Sequence, residues 1–138
     1  MIKKNLLILL AAGIISAASG GESSGAGRRY AGAGELSPTG EIADGIRRIE
    51  LEAFQFGFDP EVIVVIENET VEITAVSTDV AHGFGLDEYG INRVLEPGKE
   101  EVISFTAGEP GRHTFHCTVF CGAGHGRMQG ELIIISED

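Results

Sequence analysis

Basic residues are scarce in this chain of 138: ten lysines and arginines stand against 21 aspartates and glutamates, a formal charge of −11. Phosphate binding needs a basic face, so this balance excludes nucleic acid as a partner. No run of about 20 apolar residues, the length a membrane-spanning helix needs, is present; the stretch from Leu6 to Ala18 stops at 13. Cysteine is limited to two residues, neither near the N-terminus, so a lipid anchor is not indicated. No internal repeat is visible, and the length allows one domain rather than a multidomain enzyme. What remains is 43% hydrophobic, enough for a packed core and against wholesale disorder.

The N-terminus carries a targeting pattern. Lys3 and Lys4 precede the apolar stretch, and small residues around Ser16 to Gly20 offer cleavage sites. Residues 1–19 are expected to be a secretory signal peptide or a short uncleaved membrane anchor. The product is then secreted, periplasmic or held on the outer face of the cytoplasmic membrane. Removing Lys3 and Lys4 leaves 8 basic against 21 acidic residues, or −13. Residues 20–45 contain eight glycines and little to bury, and are expected to form a flexible linker.

From Ile46 to Asp138 the pattern predicts strands throughout. Ile49, Leu51 and Ala53 alternate with polar neighbours, Phe54, Phe56 and Phe58 continue the period of two, and Val71, Ile73 and Ala75 repeat it. Val62 to Ile66 is a continuous β-branched run, and further strands are expected at 91–95, 101–106, 113–117 and 130–135. Glu96-Pro97-Gly98-Lys99 and Ala107 to Gly111 supply turns between them. Short strands punctuated in this way predict an all-β sandwich or barrel.

Chemistry concentrates in one segment. Cys117, Cys121, His125 and Met128 fall within twelve residues, a thiol, imidazole and thioether set whose softness favours copper over magnesium, calcium or manganese. Gly122, Gly124 and Gly126 would let the backbone curl so that these side chains converge. His82, expected on the loop after a strand ending near Thr78, can close the site, because loops at one end of a sandwich converge. Two other chemistries are allowed: a Cys117–Cys121 disulfide, and tetrahedral zinc held by His82, Cys117, Cys121 and His125. The first leaves His125, Met128 and the glycines without a purpose, and the second has no use for Met128. Strand alternation puts His113 and Cys117 on one face and His116 on the other, so neither extra histidine is expected to be a ligand.

The segment His116 to Met128 resembles the binuclear copper (CuA) loop of cytochrome c oxidase subunit II and of nitrous oxide reductase, on a Greek-key cupredoxin fold. Asp79-Val80-Ala81-His82-Gly83-Phe84 is similar to the stretch that supplies that family's first histidine. Pro110 to Phe115 resembles the turn and strand leading to its first cysteine, and the likeness runs from about Phe54 to Ile135. It implies two copper ions bridged by the sulfurs of Cys117 and Cys121, with His82 and His125 on one ion each, Met128 a weak ligand and the Val119 backbone carbonyl the last. Cys121, His125, Met128 and His82 would by themselves complete a mononuclear blue-copper set, so Cys117 is the residue that turns the reading toward two ions.

The departures from the family pattern bear on function. Val119 stands where the oxidase subunit usually has a glutamate that helps bind magnesium. The tryptophan patch that receives electrons from cytochrome c has no counterpart, since the chain has no tryptophan. No counterpart of the transmembrane hairpin is seen. The resemblance therefore implies a compact electron carrier. It would take single electrons from cytochrome c or another redox protein, as a soluble shuttle or as the electron-accepting subunit of an oxidase, beside a catalytic subunit. All ligand positions would be filled by protein, so the domain itself would break no bonds. The other class of function is copper storage or delivery. The acidity would steer a basic redox partner, with Asp87 and Glu88 expected beside the site.

Overall fold

The computed structural model describes residues 28–29 and 35–137. The leader expected at 1–19 lies outside the described residues, as does half of the linker expected at 20–45. Twelve strands follow in chain order: β1 (Arg28–Arg29), β2 (Glu35–Leu36), β3 (Glu41–Ala43), β4 (Ile46–Phe54), β5 (Gly57–Asp59), β6 (Val62–Ile66), β7 (Thr70–Ser77), β8 (His82–Leu86), β9 (Ile91–Leu95), β10 (Glu101–Thr106), β11 (Gly111–His116) and β12 (Gln129–Ile135). Among the described residues the helical pieces are two 3₁₀ turns, Asp87–Tyr89 and His125–Arg127.

Two five-stranded sheets form the sandwich. One runs β10-β7-β4-β3, with β5 folded back onto β4; the other runs β6-β12-β11-β8-β9. β4 is parallel to β7 and β12 is parallel to β6, while the remaining pairs are antiparallel. This is the all-β sandwich that the strand pattern predicts. Alternation decides which side chains face in. Ile49, Leu51 and Ala53 of β4 meet Val71, Ile73 and Ala75 of β7 inside, and their polar neighbours stay outside. Phe58, Phe84 and Phe115 make an aromatic floor, their ring centroids 5.1 to 6.2 Å apart. Removing such a buried ring costs roughly 3–5 kcal/mol.

The folded unit begins upstream of Ile46. Leu36 packs on the outer face of the second sheet against Val64, Ile133 and Ile135, and Thr39 exchanges two 2.8 Å hydrogen bonds with the main chain of Val64. Strand β3 then pairs with β4. The reason is the unbroken apolar run of β6, an edge strand with both faces to bury. Arg47, 5% exposed, locks this cover down. Its guanidinium makes a two-pronged bond to Glu69 at 2.6 and 2.8 Å and donates to the Thr39 carbonyl at 2.9 Å. So the tail end of the expected linker, 36–45, is part of the sandwich.

Candidate metal centre

The hairpin between β11 and β12 carries most of the donor groups. The Cys117 N–H donates to the Met128 carbonyl at 3.0 Å, so the loop between them is closed at its base. Gly122 takes a φ of +133°, which a residue with a side chain rarely adopts. A Cβ on Gly124 would lie 2.4 Å from the Phe56 ring, so that glycine serves close approach instead. Gly126 has open space around it, contrary to the expectation that all three glycines serve the curl.

His82 arrives from β8, the strand beside β11 in the same sheet. It does not sit on a loop, as the sequence suggests, but opens strand β8. All five residues of β8 are buried, so it shows no alternation, and Gly83 and Gly85 weaken its strand signature. Gly83 earns its place here: a Cβ there would sit 1.9 Å from the Thr118 hydroxyl, so only glycine lets β8 press against the ligand loop.

Six donor atoms converge. Cys117 Sγ and Cys121 Sγ are 3.6 Å apart and both are free thiols. Cys117 Sγ has His82 Nδ1 at 3.8 Å and the Val119 carbonyl oxygen at 3.1 Å. Cys121 Sγ has His125 Nδ1 at 3.7 Å and Met128 Sδ at 3.7 Å. The donor atoms of His82, Cys117 and Cys121 all lie within 4.8 Å of one another. His82 is fully buried, Met128 is 1% exposed, and Cys117 and Cys121 are buried too. His125 is half-buried, with its ring 5.6 Å from that of Phe120, which is 77% exposed. His113 and His116 stay out of the cluster; His113 instead faces Glu88. Two thiols, two imidazoles and a thioether form a soft set that fits copper.

The carboxylate of Asp79 orients His82. Its Oδ1 lies 2.6 Å from His82 Nε2 and accepts the Val80 N–H at 2.6 Å, while Oδ2 accepts the Gln55 N–H at 2.7 Å. Burial alone would raise the Asp79 pKa, but these N–H groups and the His82 ring outweigh it and hold the carboxyl below its ordinary 3.8. A carboxylate only accepts, so the His82 proton sits on Nε2 and Nδ1 turns its lone pair to the thiols. Burial first, then the neighbouring Cys117 thiol and the field of Asp79, push the Cys121 thiol up from 9.0 to about 11.

Comparison with known proteins gives this arrangement its context. Residues 9–134 match the family model of the cupredoxin-like domain. This chain belongs to that family. Within it, the cupredoxin is 33% identical over 82 residues to cytochrome c oxidase subunit 2 of Thermus thermophilus, covering 59% of this chain and 61% of the relative. It is 29% identical over 98 residues to the nitrous-oxide reductase of Stutzerimonas stutzeri, covering 67% of this chain but 15% of the reductase. The chain thus spans less than two thirds of the length of either. Among solved structures, it matches a heme-copper terminal oxidase dimer with a TM-score of 0.60 at 28% identity, covering 78% of each chain. The periplasmic domain of cytochrome oxidase subunit II of Bradyrhizobium japonicum gives a TM-score of 0.62 at 20% identity, covering 70% of this chain and 88% of that one, a likeness of fold. The homology is therefore to subunit II cupredoxin domains.

Sequence reasoning missed three residues of this cupredoxin. Asp79 was visible as a carboxylate three positions before His82, a spacing that lets an acid reach the ring. Gln55 and Phe56, in the turn between β4 and β5, gave no signal beyond an aromatic alternation. Asp87 and Glu88 correct the expectation in the opposite direction. Strand β8 carries them five residues from His82, about 17 Å at ~3.4 Å per residue, to the end of the sheet where Glu88 meets His113. They do not flank the metal centre. Among the described residues, no helix is long and apolar enough to cross a membrane.

Proposed function

We propose that this domain is an electron carrier with a binuclear copper centre. The observation that carries the reading is the pairing of donors: each thiol has one imidazole and one weaker donor beside it, His82 and the Val119 carbonyl for Cys117, His125 and Met128 for Cys121. That is a set with two lobes sharing a sulfur pair, where a mononuclear site needs only one lobe. Two copper ions held by Cys117, Cys121, His82 and His125, with Met128 and the Val119 carbonyl as weaker donors, would supply one-electron exchange.

The chain's own residues do the rest. Cys117 and Cys121 must give up their protons to act as bridges, so metal uptake releases protons. Asp79 keeps the proton of His82 on Nε2 and away from the ligand nitrogen. Phe58, Phe84 and Phe115 keep water from the floor. Six protein donors leave no position for a substrate, so the domain moves electrons and breaks no bonds. Half-buried His125 would bring the centre toward the surface, where a partner exchanges electrons. The donor is cytochrome c or another small redox protein, the acceptor is an oxidase catalytic subunit or a second soluble carrier, and the work is done outside the cytoplasmic membrane.

Copper analysis with electron paramagnetic resonance tests this directly. Two ions per chain and a hyperfine pattern of one electron shared by two copper nuclei are expected. One ion per folded chain with a blue-copper spectrum would overturn it. The burial of His82, Cys117, Cys121 and Met128 also favours carriage over storage or delivery, since delivery needs exchangeable ligands. Rapid surrender of copper to a competing chelator would reverse that ranking.

A further inference from the structure

We propose that Gln55 is a positioning residue that ties the two ligand-bearing segments of the metal centre into one rigid unit. The proposal rests on the reading of 82, 117, 121, 125 and 128 as ligand positions, and extends it to a residue outside them.

The turn between β4 and β5 projects beyond its sheet and reaches both segments at once. The Gln55 main-chain N–H donates to Asp79 Oδ2 at 2.7 Å, and the other oxygen of that carboxylate holds His82 Nε2. The Gln55 side chain turns the other way, and its Nε2 donates to the Cys121 carbonyl at 2.7 Å. His82 and Cys121 are far apart in sequence and lie on different elements. Through Gln55 they are joined: the His82 ring to the Asp79 carboxylate, that carboxylate to the Gln55 main-chain N–H, and the Gln55 side-chain amide to the Cys121 carbonyl. The next residue adds packing to the same junction. The Phe56 ring lies where a Cβ on Gly122 or Gly124 would be, 3.0 and 2.4 Å away.

An ordinary exposed glutamine would leave its side chain in water, because fixing so flexible a chain costs up to ~2 kcal/mol of rotamer entropy. Gln55 is exposed, yet its side-chain amide donates to the carbonyl of Cys121. Cys121 lies at the junction of the two lobes, between Cys117, His125 and Met128. Holding its carbonyl fixes the peptide that leads into Gly122, the residue with positive φ, and so sets where the loop turns. The consequence is a centre preorganised before metal arrives: the loop that carries five of the donors cannot shift without pulling on the anchor of the sixth, His82.

The test uses Gln55→Met, which keeps length and loses the donor, and Gln55→Ala as a second variant. In the metal-free full chain, hydrogen exchange of the amides from Cys121 to Met128 should quicken about fivefold in both, the size expected for one lost hydrogen bond. Amides of β4 and β7 should keep their rates. In the copper-loaded chain, Gln55→Met should release copper about fivefold faster and shift the copper hyperfine pattern, a change that a loss of general stability would not make. Combined with Asp79→Asn, its effect on copper release should fall short of the product of the single effects, because both substitutions cut the same chain of bonds. Wild-type exchange in the 121–128 amides of Gln55→Met, or strictly multiplicative effects on release, would overturn the proposal. If the unmodified chain binds a single copper, the binuclear reading fails by itself, and the exchange experiment on metal-free protein still decides the role of Gln55.

Discussion

The two histidines of the centre are held in different ways. His82 begins a fully buried strand, is closed off from water and has its far nitrogen pinned by Asp79. His125 belongs to a single 3₁₀ turn within a glycine-rich loop, is half-buried, and has the exposed Phe120 ring as its neighbour. One side of the site is built into the sandwich and the other is laid over its end. The contrast separates two requirements of an electron carrier, which must hold its metal without exchange and still bring an orbital close to the surface. In the function proposed above, the His82 side would serve the first and the His125 side the second.

The largest break in this comparison comes from removing a bridge. Cys117→Ser should drop copper from two ions to one, leaving a mononuclear site around Cys121, His125 and Met128, and metal analysis with visible spectroscopy will show it. Next, the histidines should differ in rescue. His125→Ala opens a gap near the surface that added imidazole can fill, restoring the copper spectrum. His82→Ala leaves a hole closed off from water, and imidazole should not restore it. Asp79→Asn, which frees the tautomer of His82, should weaken copper binding about tenfold, the range for an outer partner of a ligating histidine. Among the described residues no carboxylate pairs with His125, so that side has no counterpart to this change.

Acidity adds a graded effect. In the metal-free chain the Cys121 thiol, with its pKa pushed up to about 11, is protonated at neutral pH. Copper must displace that proton, so apparent affinity should rise steadily with pH from 6 upward in a competition titration. Stability runs the other way. Because the folded-state pKa is raised above the ordinary 9.0, the unfolded chain loses its proton first, and the metal-free domain should lose stability between pH 9 and about 11. The smallest change expected is Met128→Leu. Thioether bonds at such sites are weak and long, so the potential measured by voltammetry should move while copper content stays.

Legibility in the sequence followed local pattern. β4 and β7 could be read because each has one buried and one wet face, and period two records that difference. The ligand loop could be read because its donors are neighbours in the chain. β8 could not, since a strand buried on both faces and softened by two glycines carries no alternation. Residues 36–45 were hidden by composition: the apolar cover of β6 comes from Leu36 and a threonine, set among glycines that look like linker. Asp87 and Glu88 misled because nearness in sequence to His82 means distance in space once the intervening residues are extended. Gln55 was silent, as a polar residue in a turn has nothing to distinguish it until its partners are seen.

The hydrogen bond that closes the ligand loop at its base, from the Cys117 N–H to the Met128 carbonyl, makes that loop a module. The sandwich ends at those two residues, and β11 and β12 stay paired below them whatever lies above. Loop length is thermodynamically cheap, with each doubling costing only about 0.6 kcal/mol of closure entropy. A segment of different length and donor composition can therefore be spliced between the same two strands without disturbing the barrel of side chains beneath. The fold is in this sense a socket with His82 fixed in its rim, and the other donors come with the plug.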